Sequence, residues 1–127
     1  MRALVVDDDR SIQQILELAL GDEGYEVVLA SNGPEALEKA RTSHPDIVIL
    51  DLMMPFVNGI QVAEALHNDK QLSSIPIIML TARATDDDVW AGWQAGAASY
   101  LTKPIDFELL FNEMERVIAE RTLQAVS

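Results

Sequence analysis

The sequence predicts an α/β fold, an open sheet of five parallel strands, each followed by a helix and joined by right-handed crossovers. Three observations predict it. Short β-branched runs recur at nearly even spacing along 127 residues. Segments with a helical period fill the gaps between them. The runs Leu4-Val5-Val6, Ile47-Val48-Ile49-Leu50 and Ile77-Ile78-Met79-Leu80 are continuously apolar rather than alternating, as strands covered on both faces are.

The elements follow in order. Strands are expected over Ala3–Val6, Tyr25–Ala30, Asp46–Leu50, Pro76–Leu80 and Ser99–Thr102. In the first helix Ile12, Ile15, Leu16, Ala19 and Leu20 form one stripe, with Gly21 and Gly24 as stop signals. Pro34 opens the second helix, where Glu35 and Lys39 stand i,i+4 with the acid first. The third runs from about Asn58 to Asn68, with Val62, Ala65 and Leu66 inward. Asp86-Asp87-Asp88 suit the positive N-terminal end of a fourth helix as capping and solvated charge. Asp106 caps the fifth, which turns Leu110, Met114, Val117 and Ile118 to one side and ends just before the last residues.

Length and composition bound the function. One domain fits the length, and 49% hydrophobic with 24% charged residues describes a soluble domain with a core. Nine Lys and Arg against 21 Asp and Glu leave a formal charge of −12, which excludes a general basic surface for nucleic acid or anionic membrane. The absence of Cys excludes disulfides, thiolate zinc sites and a Cys nucleophile. No apolar stretch is long enough to span a membrane, and Met1–Val6 is too short an apolar run for a signal peptide. The expectation is a cytoplasmic domain.

In such sheets the functional crevice lies at the carboxyl ends of the strands. There the sequence delivers Asp7-Asp8-Asp9, Asp51, Thr81-Ala82 and Lys103-Pro104, from four separate units. Asp9 is read as a helix cap or surface acid. Crowded carboxylates require a proton or a cation, and an oxygen-only set suits Mg²⁺. A carboxylate beside a divalent cation, an ammonium and a hydroxyl is a workable place to make and hold an acyl phosphate.

These residues resemble the receiver domains of response regulators in two-component signalling. The matching segments are LVVDDDRSI at 4–12, DIVILDLMMPFVNGI at 46–60, PIIMLTA at 76–82 and AGAASYLTKPI at 95–105. The resemblance implies a flavodoxin-like three-layer (βα)5 sandwich with strand order 2-1-3-4-5. It implies Asp51 as phosphoacceptor and Mg²⁺ (or Mn²⁺) held by Asp8, Asp51 and the backbone carbonyl of Met53, with Asp7 holding a coordinated water. Thr81 and Lys103 would bind the phosphoryl group, Ala82 would leave it room, and Lys103-Pro104 would be a cis peptide. Tyr100 matches an aromatic switch position that moves with Thr81. Asn58 stands where many members carry Asp, and Asn caps a helix as well.

The implied partner is a sensor histidine kinase or phosphotransfer protein, with residues 1–122 as the receiver and 123–127 as a tail or the start of a linker. The domain would catalyse only its own phosphorylation and dephosphorylation, and would not be an enzyme in the ordinary sense. Its readout surface would be the fourth helix, fifth strand and fifth helix. Trp90 and Trp93 share a side of the fourth helix. Trp90 is open to a packing role, whereas Trp93, with Phe111 and Tyr100, is expected to form an apolar patch for partners or a homodimer. Met53 and Arg83, two residues after Asp51 and Thr81, predict slow loss of the phosphoryl group. His44 and His67 are surface histidines in this reading. The alternatives are a phosphatase of haloacid dehalogenase type with an Asp7-x-Asp9 pair, a flavin-binding flavodoxin, and a docking module that is never phosphorylated.

Overall fold

The computed structural model describes residues 1–54, 58–82 and 85–126. Strands β1 (Arg2–Val6), β2 (Glu26–Ala30), β3 (Ile47–Leu50), β4 (Ile77–Thr81) and β5 (Ser99–Thr102) alternate with helices α1 (Arg10–Asp22), α2 (Gly33–Ser43), α3 (Gly59–Asn68), α4 (Asp86–Gln94) and α5 (Phe107–Val126). All strand pairs are parallel, in the order β2-β1-β3-β4-β5.

The continuous apolarity of the three central strands has a direct structural cause. Alternate side chains point to opposite faces of a strand, and both faces are covered. Leu4, Val6, Val48, Leu50, Ile77 and Met79 pack with Ala36, Ala40, Val62 and Leu66 of α2 and α3. Ala3, Val5, Ile47, Ile49, Ile78 and Leu80 pack with Leu16 and Leu20 of α1 and with Leu110, Met114 and Val117 of α5. Edge strands β2 and β5 are only partly buried.

Side-chain caps start the helices where the sequence places them. Asp9 accepts from the Ser11 and Ile12 N–H groups at 2.8 and 3.4 Å, Asn58 from Ile60 at 2.7 Å, and Asp106 from Leu109 at 3.1 Å. The three acids of α4 occupy its first turn, but the cap is Thr85. Each bond satisfies an N–H that the first helical turn leaves without a partner.

Four details depart from the sequence reading. Gly21 stays helical, and Gly24 alone makes the left-handed exit with φ 93°. Ile15 is 47% exposed, whereas Gln13 is buried. At about 100° per residue, Gln13 lies roughly 60° from the mean direction of Ile12, Leu16 and Leu20, and Ile15 about 100° from it. In α3 the buried alanine is Ala63, not Ala65. Helix α5 runs on to Val126, because no Gly or Pro interrupts it.

Candidate functional site

The parallel ladder carries each acid to the same edge. Asp7 follows β1 and donates its N–H to Ala30 O at 3.1 Å; Asp51 follows β3 and donates to Val6 O at 2.9 Å. Thr81 is the fully buried last residue of β4, and its carbonyl accepts the Lys103 N–H at 2.7 Å. The strand order puts β1 between β2 and β3, so the chain leaves β1 toward one side and β3 toward the other. The crevice opens at that divergence.

Here the side chains meet. Carboxylate oxygens of Asp7, Asp8 and Asp51 lie within 4.8 Å of one another. Asp7 and Asp51 are buried and Asp8 is exposed. Lys103 Nζ stands 2.9 Å from Asp7 Oδ2 and 3.5 Å from Asp51 Oδ2. The remaining oxygens are held by backbone: Asp7 Oδ1 accepts from Asp9 N–H at 2.9 Å, and Asp51 Oδ1 from Met53 N–H at 3.0 Å.

The electrostatics are those of a charge-deficient site. Burial, reinforced by the Asp7 carboxylate, pushes Asp51 up to about 6, against the Met53 N–H and Lys103, which favour its charged form. Burial disfavours the Lys103 ammonium, yet its bonds and proximity to Asp7 and Asp51 outweigh that and raise its pKa above the usual lysine value. Among the described residues, one ammonium beside three carboxylates leaves net negative charge. The donor set is oxygen only, with one exposed and two buried acids, and it fits a small hard divalent cation such as Mg²⁺. Asp8 and Asp51 would hold it, with Asp7 and the Met53 carbonyl completing the set.

The loop after β3 is shaped around Asp51. Met53 pairs with Asn58 in a β-bridge, and Gly59 N–H donates to Leu52 O at 2.9 Å. A Cβ on Gly59 would lie 2.4 Å from Asp51 O and 2.7 Å from Leu52 Cα, so only glycine fits there. The sequence reading missed this requirement. Its available signal was a glycine directly after an N-cap asparagine, where a helix has no conformational need for one.

Of the expected site residues, Asp7, Asp8, Asp51 and Lys103 converge, with the Met53 backbone beside them; Thr81 ends the adjacent strand. Lys103-Pro104 is cis. Asp9 caps α1 and is thereby taken out of any Asp7-x-Asp9 catalytic pair. Arg83 lies outside the described residues. His44 is the left-handed C-cap of α2, and His67 packs beside Gly96; neither reaches the site.

The ring of Tyr100 rests on Gly92 of α4, where an added Cβ would stand 3.1 Å from the ring. Trp90 and Trp93 are 66% and 50% exposed, so neither is a core residue. Phe111 does not join Trp93. It is half-buried, 6.0 Å from the Phe107 ring, and lines a groove with Met1, Gly24 and Tyr25 on the α1 side of α5. Two residues back, nearly opposite on the helix, exposed Leu109 lines a groove of about 250 Å³ with Tyr100, Leu101 and Ile105. Leu109 therefore stands where Phe111 was expected.

Comparison with known proteins agrees with this architecture. The family model of the response regulator receiver domain matches residues 3–115. The chain is 45% identical over 103 residues to the alkaline phosphatase synthesis transcriptional regulatory protein PhoP of Bacillus subtilis, covering 81% of this chain and 42% of that protein. It is 42% identical over 122 residues to response regulator MprA of Mycobacterium avium, covering 96% and 52%. The chain thus spans about half the length of the curated relatives it matches. Among solved structures, chemotaxis protein CheY4 of Vibrio cholerae superposes with a TM-score of 0.87 at 37% identity, covering 91% of this chain and 97% of that one. A CheY-like receiver domain protein from Methanospirillum hungatei gives 0.90 at 28% identity, covering 97% of each. Motifs, strand order, acid cluster and relatives lead to one conclusion: the chain belongs to the response regulator receiver domain family.

Proposed function

We propose that Asp51 accepts a phosphoryl group from a phosphohistidine on a sensor histidine kinase or phosphotransfer protein. The observation that supports this is the placement of Lys103 between Asp7 and Asp51, in a cluster of acids with more negative charge than one ammonium can balance. An Asp51 oxygen attacks phosphorus, the P–N bond breaks, and the imidazole leaves. Lys103 and Thr81 bind the phosphoryl oxygens as charge develops on them. When bound, Mg²⁺ (or Mn²⁺) neutralises phosphoryl charge. Water later attacks phosphorus, breaking the bond to Asp51 and releasing phosphate with the carboxylate restored.

Loss of the phosphoryl group is slow in this reading, because the exposed Met53 side chain beside Asp51 has no group to orient water. The chain catalyses only its own modification and is not an enzyme acting on other substrates. Residues 1–122 form the receiver unit, and 123–127 are a tail or the start of a linker. It works in the cytoplasm and binds no nucleic acid itself; among the described residues no helix is long and apolar enough to cross a membrane. A phosphoryl group adds about 1.5 to 2 negative charges at one point. Thr81 and Tyr100 respond by shifting a pre-existing equilibrium of the α4-β5-α5 face. Trp93, Tyr100 and Leu109 on that face contact a partner or a second phosphorylated copy.

A small phosphodonor with Mg²⁺ tests the reading. Intact mass should rise by one phosphoryl group, and Asp51→Asn should abolish the gain. Incorporation at another residue sinks the proposal. For the surface, Trp93→Ala should weaken phosphorylation-dependent self-association or partner binding; unchanged values for both would exclude it.

A further inference from the structure

We infer that Gln13 is a positioning residue for the cation site, acting on Asp8 through the peptide bond that joins Asp7 to Asp8; this rests on the proposal that the acid cluster holds Mg²⁺. Gln13 is the polar member of the buried set of α1, beside Leu16 and Leu20. Its Nε2 faces Asp7 O at 2.5 Å, Ser31 Oγ at 3.1 Å and Ala30 O at 3.3 Å. The two carbonyls can only accept, so the side-chain NH2, not its oxygen, is turned toward them.

These acceptors mark the ends of two neighbouring strands. Ala30 O also takes the Asp7 N–H at 3.1 Å. Asp7 is therefore tied to β2 through its N–H and to α1 through its carbonyl. A peptide unit is planar, so fixing the Asp7 carbonyl fixes the Asp8 N–H and the position of the Asp8 Cα from which its side chain departs. The Asp7 carboxylate has its own restraints, from Asp9 N–H and Lys103. Asp8 is exposed, and the placement of its carboxylate rests on the backbone that Gln13 holds. Groups that orient a ligand without touching the ion typically change metal affinity by about 10- to 100-fold.

Direct calorimetric titration with Mg²⁺ tests this on the full chain, alongside unfolding temperature. Gln13→Met keeps the length and removes the donor. Gln13→Asn keeps the amide but falls a methylene short, and it carries the test should the Met variant not fold. Each should raise the Mg²⁺ dissociation constant about tenfold. Leu16→Ala, buried on the same helix face, should lower the unfolding temperature and leave the affinity within about threefold of the parent. A Gln13 variant within about threefold of the parent overturns the inference, and so does an equal loss in Leu16→Ala. A parent chain that binds no Mg²⁺, or binds it equally well as Asp8→Ala, overturns the cation reading itself and the inference with it.

Discussion

Replacing Asp51 by Asn should stabilise the protein in the absence of divalent cations, in a strongly pH-dependent way. Burial and the Asp7 charge raise Asp51 from 3.8 to about 6. At about 1.4 kcal/mol per pH unit, that shift corresponds to an upper figure of about 3 kcal/mol held against folding at about pH 7.5. The sign follows from proton uptake. The folded state holds the Asp51 proton more tightly than the unfolded chain, so folding takes up protons between about pH 4 and about pH 6. The parent loses stability as pH rises through that window. Asp51→Asn lacks the titrating group and lacks this part of the slope. Urea unfolding with a chelator should therefore show the variant gaining on the parent by up to about 3 kcal/mol between about pH 4 and about pH 7.5. Added Mg²⁺ should offset most of that advantage by stabilising only the parent, by about 2.7 kcal/mol at a hundredfold excess over its dissociation constant. Parallel pH profiles for the two proteins, or a variant that loses ground as pH rises, would refute the charge-deficient site.

Three further outcomes follow from the same geometry. Lys103→Met removes the ammonium from between Asp7 and Asp51, so the Asp51 pKa should rise above about 6, read from the carboxyl carbon shift by NMR; an unchanged or lower value contradicts the pairing. Gly59→Ala forces a Cβ onto the Asp51 carbonyl, so it should cost about 3 kcal/mol or more in urea unfolding and abolish phosphorylation; near-normal stability would show that the loop can yield. Gly92→Ala presses on the Tyr100 ring and should cost about 1 kcal/mol while shifting the ring carbon resonances of Tyr100. Unmoved resonances would mean the ring does not rest there in solution.

Much of the molecule was legible in the sequence because it follows from local rules. Continuous apolar runs marked the strands buried on both faces, and caps such as Asp9, Asn58 and Asp106 marked helix starts, since the signal and its cause lie within a few residues. Asp7, Asp8, Asp51 and Lys103 were legible because a parallel sheet delivers its strand ends to one edge. Asp9 was legible as a cap or a surface acid, and its bonds to Ser11 and Ile12 N–H decided between the two.

Other features depend on what stands opposite a residue, which no local pattern records. Gln13 is inward because Asp7 and Ala30 present carbonyls to α1; read as a helix position it is an ordinary polar residue, and Ile15 takes the solvent side instead. Gly59 is dictated by the backbone of Asp51 and Leu52, and Gly92 lies under a ring from β5. Leu109 and Phe111 are equally apolar, and only the packing of α5 between α1 and the β5 edge decides which of them joins Tyr100. The sequence alone determined the strand–helix alternation, the cluster of acids with one lysine and the family, because these follow from periodicity and chain order. The tertiary structure decided the charge deficit at Asp51, the hold on the Asp7–Asp8 peptide and the composition of the exposed face. Each of those is set by distances between groups far apart in the chain.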